Sequence, residues 1–278
     1  MNSGLQPQFV VIDGLRIRYA TSTKVAGRPI LLTCPWPESI AAFYLIWPKL
    51  ADVAPLVAID LPGFGRSEGR PDLMTPQSMG DFLIKVVSKF ARELSMQRPH
   101  AIGPDIGTSA MLCAAATHKD IFSSLIVGAG AMDEKQASGA LKAIIEAPDT
   151  SAFEGADGGE TVVNSVRALL QNPTEEELQD YRESYAGDRF VKSMAYVRSY
   201  SKTLPPLRDT LPSIQTPVLV IYGSHDPLVP PENAAILERS LPHVRVNPLD
   251  CGHFAWEEKA DEYAAAVRSW IEGGYQAA

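Results

Sequence analysis

Three residues carry the chemistry this sequence can do, and each sits in a context that would expose it. Asp105 is the centre of Gly103-Pro104-Asp105-Ile106-Gly107. Asp226 lies in Gly223-Ser224-His225-Asp226-Pro227-Leu228-Val229-Pro230, and His253 in Asp250-Cys251-Gly252-His253-Phe254. The pentapeptide follows a run that reads as a strand and opens one that reads as a helix. Its small outer residues let the backbone turn sharply and hold the central side chain up at a sheet edge. Taken by itself, it reads equally as a plain strand-to-helix turn with Asp105 as the N-cap. The later segments shift that balance, because nucleophile, acid and histidine follow in chain order, each on a loop after a strand or just before a helix. A carboxylate is already ionised at neutral pH and needs no base before it attacks. It suits substitution at a saturated carbon bearing a leaving group, forming an alkyl ester on the protein. His253, oriented by Asp226, would then activate water against the ester carbonyl of Asp105. This route calls for no metal or organic cofactor, and no metal-ligand spacing appears.

Such a site needs a scaffold that delivers several loops to one edge. Phe9-Val10-Val11-Ile12 and Arg16-Ile17-Arg18-Tyr19 flank Asp13-Gly14, a two-residue hairpin signal. Short runs, aliphatic on both faces, follow at Pro29 to Thr33, Leu56 to Ile59, His100 to Gly103, Ser124 to Val127 and Val218 to Tyr222. They read as parallel strands covered by helices on both sides. Helix-length segments such as Met79 to Glu93 and Ala110 to His118 lie between them, and another runs from about Glu257 to Ile271. The expected class is α/β, a mostly parallel sheet with helices on both faces. From about Ala131 to Pro212 the chain turns polar and helical, with the connector Glu154-Gly155-Ala156-Asp157-Gly158-Gly159. Residues 131–212 therefore read as a helical cap over a core made of 1–130 and 213–278. The proline-punctuated stretch from Leu204 to Pro217 reads as the linker back to that core.

Composition excludes several other classes. The 278 residues are 45% hydrophobic and 21% charged, ordinary for a globular protein and too apolar for a disordered one. A formal net charge of −8 argues against a nucleic-acid or anionic-membrane partner. Cys34, Cys113 and Cys251 are odd in number and far apart, so no disulfide framework is expected and a reducing cytoplasm is the default. Met1 to Gln8 show no secretory signal pattern. No apolar stretch approaches the ~20 residues that span a bilayer.

With these residues in view, the sequence resembles the α/β-hydrolase family over nearly all of residues 8–273, and within it the aspartate-nucleophile branch of epoxide hydrolases and dehalogenases. Leu61-Pro62-Gly63-Phe64-Gly65-Arg66-Ser67 is similar to a loop of that family. Its Gly63-Phe64-Gly65 is no dinucleotide fingerprint, since position 68 is Glu and no helix opens there. Cys34-Pro35-Trp36-Pro37-Glu38-Ser39 resembles the epoxide-hydrolase His-Gly-x-Pro loop, with Cys34-Pro35 in place of His-Gly. The resemblance implies an oxyanion hole built from one N–H of this loop and one from the residue after the nucleophile. Proline has no N–H, so between Pro35 and Pro37 the donor is Trp36, and Ile106 supplies the other.

The leaving group separates the candidates. Epoxide opening makes an alkoxide that wants a proton donor, which the resemblance places on a cap tyrosine. Tyr181 and Tyr185, then Tyr196 and Tyr200, are each spaced i, i+4, and Tyr196 and Tyr200 are the expected acids. Halide departure wants N–H donors instead, and the Trp36 indole is the obvious one. The leading expectation is an epoxide-hydrolase-like enzyme acting on a small or medium apolar substrate. A dehalogenase by the same covalent route is the alternative, and a non-hydrolytic or binding-only member of the fold is the third. Ser109 lies a helical turn past the elbow, which disfavours a serine esterase.

Overall fold

The computed structural model describes residues 4–22 and 26–278. Met1 to Ser3, the start of the N-terminal stretch read above, lie outside the described residues. A hairpin of β1 (Gln8–Ile12) and β2 (Leu15–Thr21) turns at Asp13-Gly14 and opens the sheet. Next come β3 (Ile30–Thr33), the short helix α1 (Trp47–Ala51) and β4 (Leu56–Ile59), then α2 (Pro76–Glu93), β5 (His100–Pro104), α3 (Ile106–Thr117) and β6 (Ser124–Gly128). The eight strands are ordered β1-β2-β4-β3-β5-β6-β7-β8, where β7 is Val218–Gly223 and β8 is Val244–Leu249. The β1/β2 and β2/β4 pairs are antiparallel and all others parallel. Every residue of β3, β4, β5 and β6 is buried, as parallel strands between two helical layers must be.

Strand β8 is the strand that the sequence reading implies ahead of His253 but does not locate. It is an edge strand, half-buried for most of its length, and carries Arg245, Asn247 and Pro248. Proline is tolerated on an edge, where its missing N–H breaks no interior ladder. Between β6 and β7 the chain inserts α4 (Gly139–Glu146), α5 (Gly158–Leu169), α6 (Glu175–Ser184), α7 (Arg189–Arg198) and α8 (Tyr200–Thr210). Helix α8 corrects the linker expectation, since Pro205 and Pro206 lie inside it. Each removes a bond to the carbonyl four residues back, on Ser201 and Lys202; both residues are exposed, so water can take the place of the lost donor. Leu204 and Leu207 meanwhile bury the inner face. After β7 come α9 (Glu232–Ser240), β8, α10 (Ala255–Glu258) and α11 (Ala260–Ile271), the last two in place of one continuous helix. No helix among the described residues is long and apolar enough to cross a membrane.

Candidate active site

Asp105 stands between β5 and α3 with φ 53° and ψ −121°, a conformation non-glycine residues rarely adopt. Its side chain makes no N-capping bond into the first turn of α3 beyond Ile106. The turn closes tightly around it. A Cβ on Gly103 would come within 2.9 Å of the Gly107 carbonyl, and one on Gly107 within 2.5 Å of Thr33 Oγ1. The Asp105 N–H donates to Gly128 O at 2.9 Å, and Thr108 Oγ1 donates to the Gly103 and Gly128 carbonyls at 3.0 Å. This bonding holds an otherwise costly backbone in place.

The loop after β3 brings Trp36 N–H to Asp105 Oδ2 at 2.7 Å, and Ile106 N–H also bonds the carboxylate. Burial pushes Asp105 up to about 6, against the lowering effects of the His253 charge and the two N–H donors. His253 Nδ1 lies 2.7 Å from Asp226 Oδ2, and its Nε2 faces Asp105 Oδ1 at 3.9 Å. Asp226 Oδ1 accepts from Leu228 N–H at 2.8 Å and Val229 N–H at 2.9 Å, which fixes the carboxylate behind the ring. Burial opposes a charge on His253, but the anions Asp226, Asp105 and Glu38 outweigh it and raise the imidazole to about 9. Between about 6 and 9 the resting pair is therefore carboxylate and imidazolium. All three side chains converge from separate loops.

A cavity of about 80 Å³ adjoins them, lined by Trp36, Asp105, His253 and Phe254 on the sheet side. From the insertion, Leu141, Ile144, Val166, Leu169 and Phe190 form its apolar wall. Tyr196 and Tyr200 are both buried, yet neither lines this cavity. The Tyr196 hydroxyl donates to Ile106 O at 3.1 Å and lies 3.0 Å from Ser109 Oγ, with the Tyr200 ring set edge-on against it. Burial first, and then the Asp105 charge, raise the Tyr200 phenol. The Tyr196 phenol is thus engaged with α3. The indole N–H of Trp36 is also taken, donating to Ser193 Oγ at 2.7 Å. Ser109 lies inside α3, its hydroxyl turned to Ile106 O at 3.2 Å.

The sequence reading passed over a second acidic group behind the histidine. Glu38 is fully buried, with Trp256 Nε1 donating to its Oε2 at 3.2 Å and the Tyr181 hydroxyl 3.3 Å from its Oε1. Tyr181 also reaches Glu257 Oε1 at 3.3 Å, and Glu257 pairs with Glu177 of α6. Burial and the neighbouring Glu177 charge push Glu38 up to about 8, and Glu257 and Glu177 are raised too, burial again leading. Glu177 Oε1 and Glu257 Oε2 have no donor among the protein groups, and one proton shared between the two carboxyls would serve both. Glu38 stood in plain sight within Trp36-Pro37-Glu38, but nothing in the sequence shows that residues 181 and 256 enclose it. No group of three or more His, Cys, Asp or Glu among the described residues is placed to hold a metal ion.

A carboxylate on a strained elbow, a histidine and a supporting acid at the carboxyl ends of parallel strands define a class of protein. The family model for the alpha/beta hydrolase fold matches residues 29–260, and the chain belongs to that family. It is 22% identical over 271 residues to Uncharacterized hydrolase YugF of Bacillus subtilis, covering 94% of this chain and 96% of that one. It is also 22% identical over 241 residues to 2-hydroxy-6-oxononadienedioate/2-hydroxy-6-oxononatrienedioate hydrolase 2 of Pseudomonas putida, covering 81% and 79%. Among solved structures, Epoxide hydrolase CorEH superposes with a TM-score of 0.79 at 20% identity, covering 96% of this chain and 99% of that one, a likeness of fold alone.

Proposed function

We propose that the protein hydrolyses a small or medium apolar epoxide through an alkyl ester on Asp105, with the helical insertion acting as the cap over the substrate. The observation that carries this reading is the unequal setting of the two Asp105 oxygens. Oδ2 accepts the Trp36 N–H at 2.7 Å, and Oδ1 faces His253. Oδ1 attacks the ring carbon, the carbon–oxygen bond breaks, and the alkoxide takes the Nε2 proton of the His253 imidazolium. Tyr196 is bonded to α3 and neither tyrosine lines the cavity, whereas His253 Nε2 faces the reacting oxygen, which supports His253 as the acid. Ester formation removes the Asp105 charge, one of the anions that raised His253, and leaves a neutral imidazole suited to act as a base. His253 then takes a proton from water as the oxygen adds to Cγ of Asp105, and the oxyanion on Oδ2 rests on the Trp36 and Ile106 N–H groups. Collapse expels the second alkoxide, which takes the carboxyl proton. Diol leaves, and carboxylate and imidazolium are restored.

The dehalogenase alternative is less favoured because the Trp36 indole N–H, its best halide donor, is bound to Ser193. The relative named as a dienedioate hydrolase and the solved structure named as an epoxide hydrolase both keep hydrolysis in view. The test is rapid acid quench of the wild-type protein within the first turnover, which traps the ester before His253-activated water removes it. Intact-mass analysis after incubation with a panel of epoxides and haloalkanes should give adducts on the peptide containing Asp105 with epoxides. Adducts with haloalkanes alone would replace this reading with dehalogenation. No adduct with either class would leave a non-covalent or binding role.

A further inference from the structure

Two residues three apart on α7 bond the two residues whose backbone N–H groups flank Asp105, Trp36 at its indole and Ile106 at its carbonyl. The Trp36 indole donates to Ser193 Oγ at 2.7 Å, the Ser193 hydroxyl donates in turn to Phe190 O at 2.6 Å, and the Trp36 ring stacks on Phe190 at 5.7 Å. The Tyr196 hydroxyl donates to the carbonyl of Ile106 at 3.1 Å, at the first turn of α3, where Ser109 Oγ bonds the same oxygen. Ser193 and Tyr196 share a face of the helix by their i, i+3 spacing. Trp36 and Ile106 come from loops seventy residues apart in the core, and both side-chain bonds reach the same helix of the insertion.

We infer that Ser193 and Tyr196 are positioning residues that set the oxyanion hole, so that the hole is complete when α7 is docked. This inference rests on the covalent reading above. It has a directional consequence. During attack by Oδ1 the carboxylate loses charge, so hydrogen bonds to Oδ2 weaken and their misalignment costs that step little. During ester hydrolysis charge grows on Oδ2, and misaligned donors cost that step heavily. Removing either hydroxyl should therefore slow the second half-reaction and spare the first.

The experiment is rapid-quench single turnover with an epoxide substrate on wild type, Ser193→Ala, Tyr196→Phe, the double variant and Lys192→Ala, an exposed residue of the same helix. Formation and decay of the Asp105 ester are followed by mass. Each single hydroxyl deletion should slow decay about tenfold while formation changes by less than about threefold, so that the ester builds up. Tyr196→Phe keeps the ring that packs on Phe64 and Tyr200, and thermal melts verify folding of each variant. Equal slowing of both steps, or no change in either, overturns the positioning role. Absence of any Asp105 ester in quenched wild type, with no ¹⁸O entering Asp105 in labelled water, overturns the covalent reading instead, which keeps the two failures apart.

Discussion

Trp36 donates its backbone N–H to Oδ2 of Asp105 over 2.7 Å, which leaves Oδ1 as the oxygen facing His253 at 3.9 Å. The two oxygens of one carboxylate thus have different surroundings, and the proposed route gives them different fates. In a single turnover in ¹⁸O-enriched water, the label should enter Asp105, and the product should carry an unlabelled oxygen from the protein. Label found in the product alone would mean that water attacks substrate directly and that Asp105 is not the nucleophile.

The first half-reaction should depend on pH as a bell. It needs Asp105 as the anion and His253 as the cation. Burial lifts the first to about 6, and the surrounding anions, acting against burial, hold the second near 9. The rate of ester formation should fall below about 6, where the carboxylate takes a proton, and above about 9, where the imidazole loses one. A profile flat from 7 to 11 would remove His253 from the acid role.

The two buried phenols supply a sharper contrast. Tyr200→Phe should leave ester formation within about threefold of wild type, because Tyr200 does not line the cavity beside Asp105. A loss of about a hundredfold in ring opening by a folded variant would identify Tyr200 as the acid and displace His253 from that role.

The buried carboxyls behind the histidine predict an alkaline loss of stability. Glu38 is raised to about 8, first by burial and then by Glu177, with Asp105 adding and the His253 charge opposing. Glu257 and Tyr181 face it from α10 and α6. A carboxyl whose folded value lies above its unfolded value of about 4.3 contributes stability in full below that pH. That contribution is lost as pH rises through about 8, since the folded state binds the extra proton. Urea unfolding of wild type should show this decline, and Glu38→Gln should flatten it. A Glu38→Gln curve parallel to wild type from pH 5 to 9 would rule Glu38 out as its source.

Where the insertion meets the hairpin, Arg18 holds Asp180 through bonds of 2.9 and 2.6 Å, and Ser39 donates to the same carboxylate at 2.6 Å. Burial would raise Asp180, but Arg18 and Ser39 outweigh it and lower the carboxyl. Arg18→Met leaves the buried Asp60 without its ion-pair partner and Asp180 held by Ser39 and Arg66, and should cost about 3–5 kcal/mol in denaturant midpoints at neutral pH. A cost below about 1 kcal/mol would class the pair with exposed ion pairs.

The strands were readable because burial on both faces leaves an unmistakable aliphatic run, as in Ile30–Thr33 and Leu56–Ile59. The elbow and the segments around Asp226 and His253 were readable because each combines a turn with an ionisable side chain. Strand β8 was not, since an edge strand with Arg245 and Pro248 keeps neither the run nor the alternation. Helix α8 was masked by its prolines, which read as breakers wherever the freed carbonyls cannot be seen to meet water. The spacing of Tyr196 and Tyr200 told that they share a face but not what that face meets. It meets α3, and Ser193, which holds Trp36, carried no signal beyond standing three residues before Tyr196.

The rings on either side of Trp36 have one last effect. Pro35 and Pro37 bring no amide hydrogen, so this stretch of chain offers a lone contact to the reacting carboxylate and holds no understudy for it. A third consecutive proline at position 36 would silence the loop altogether.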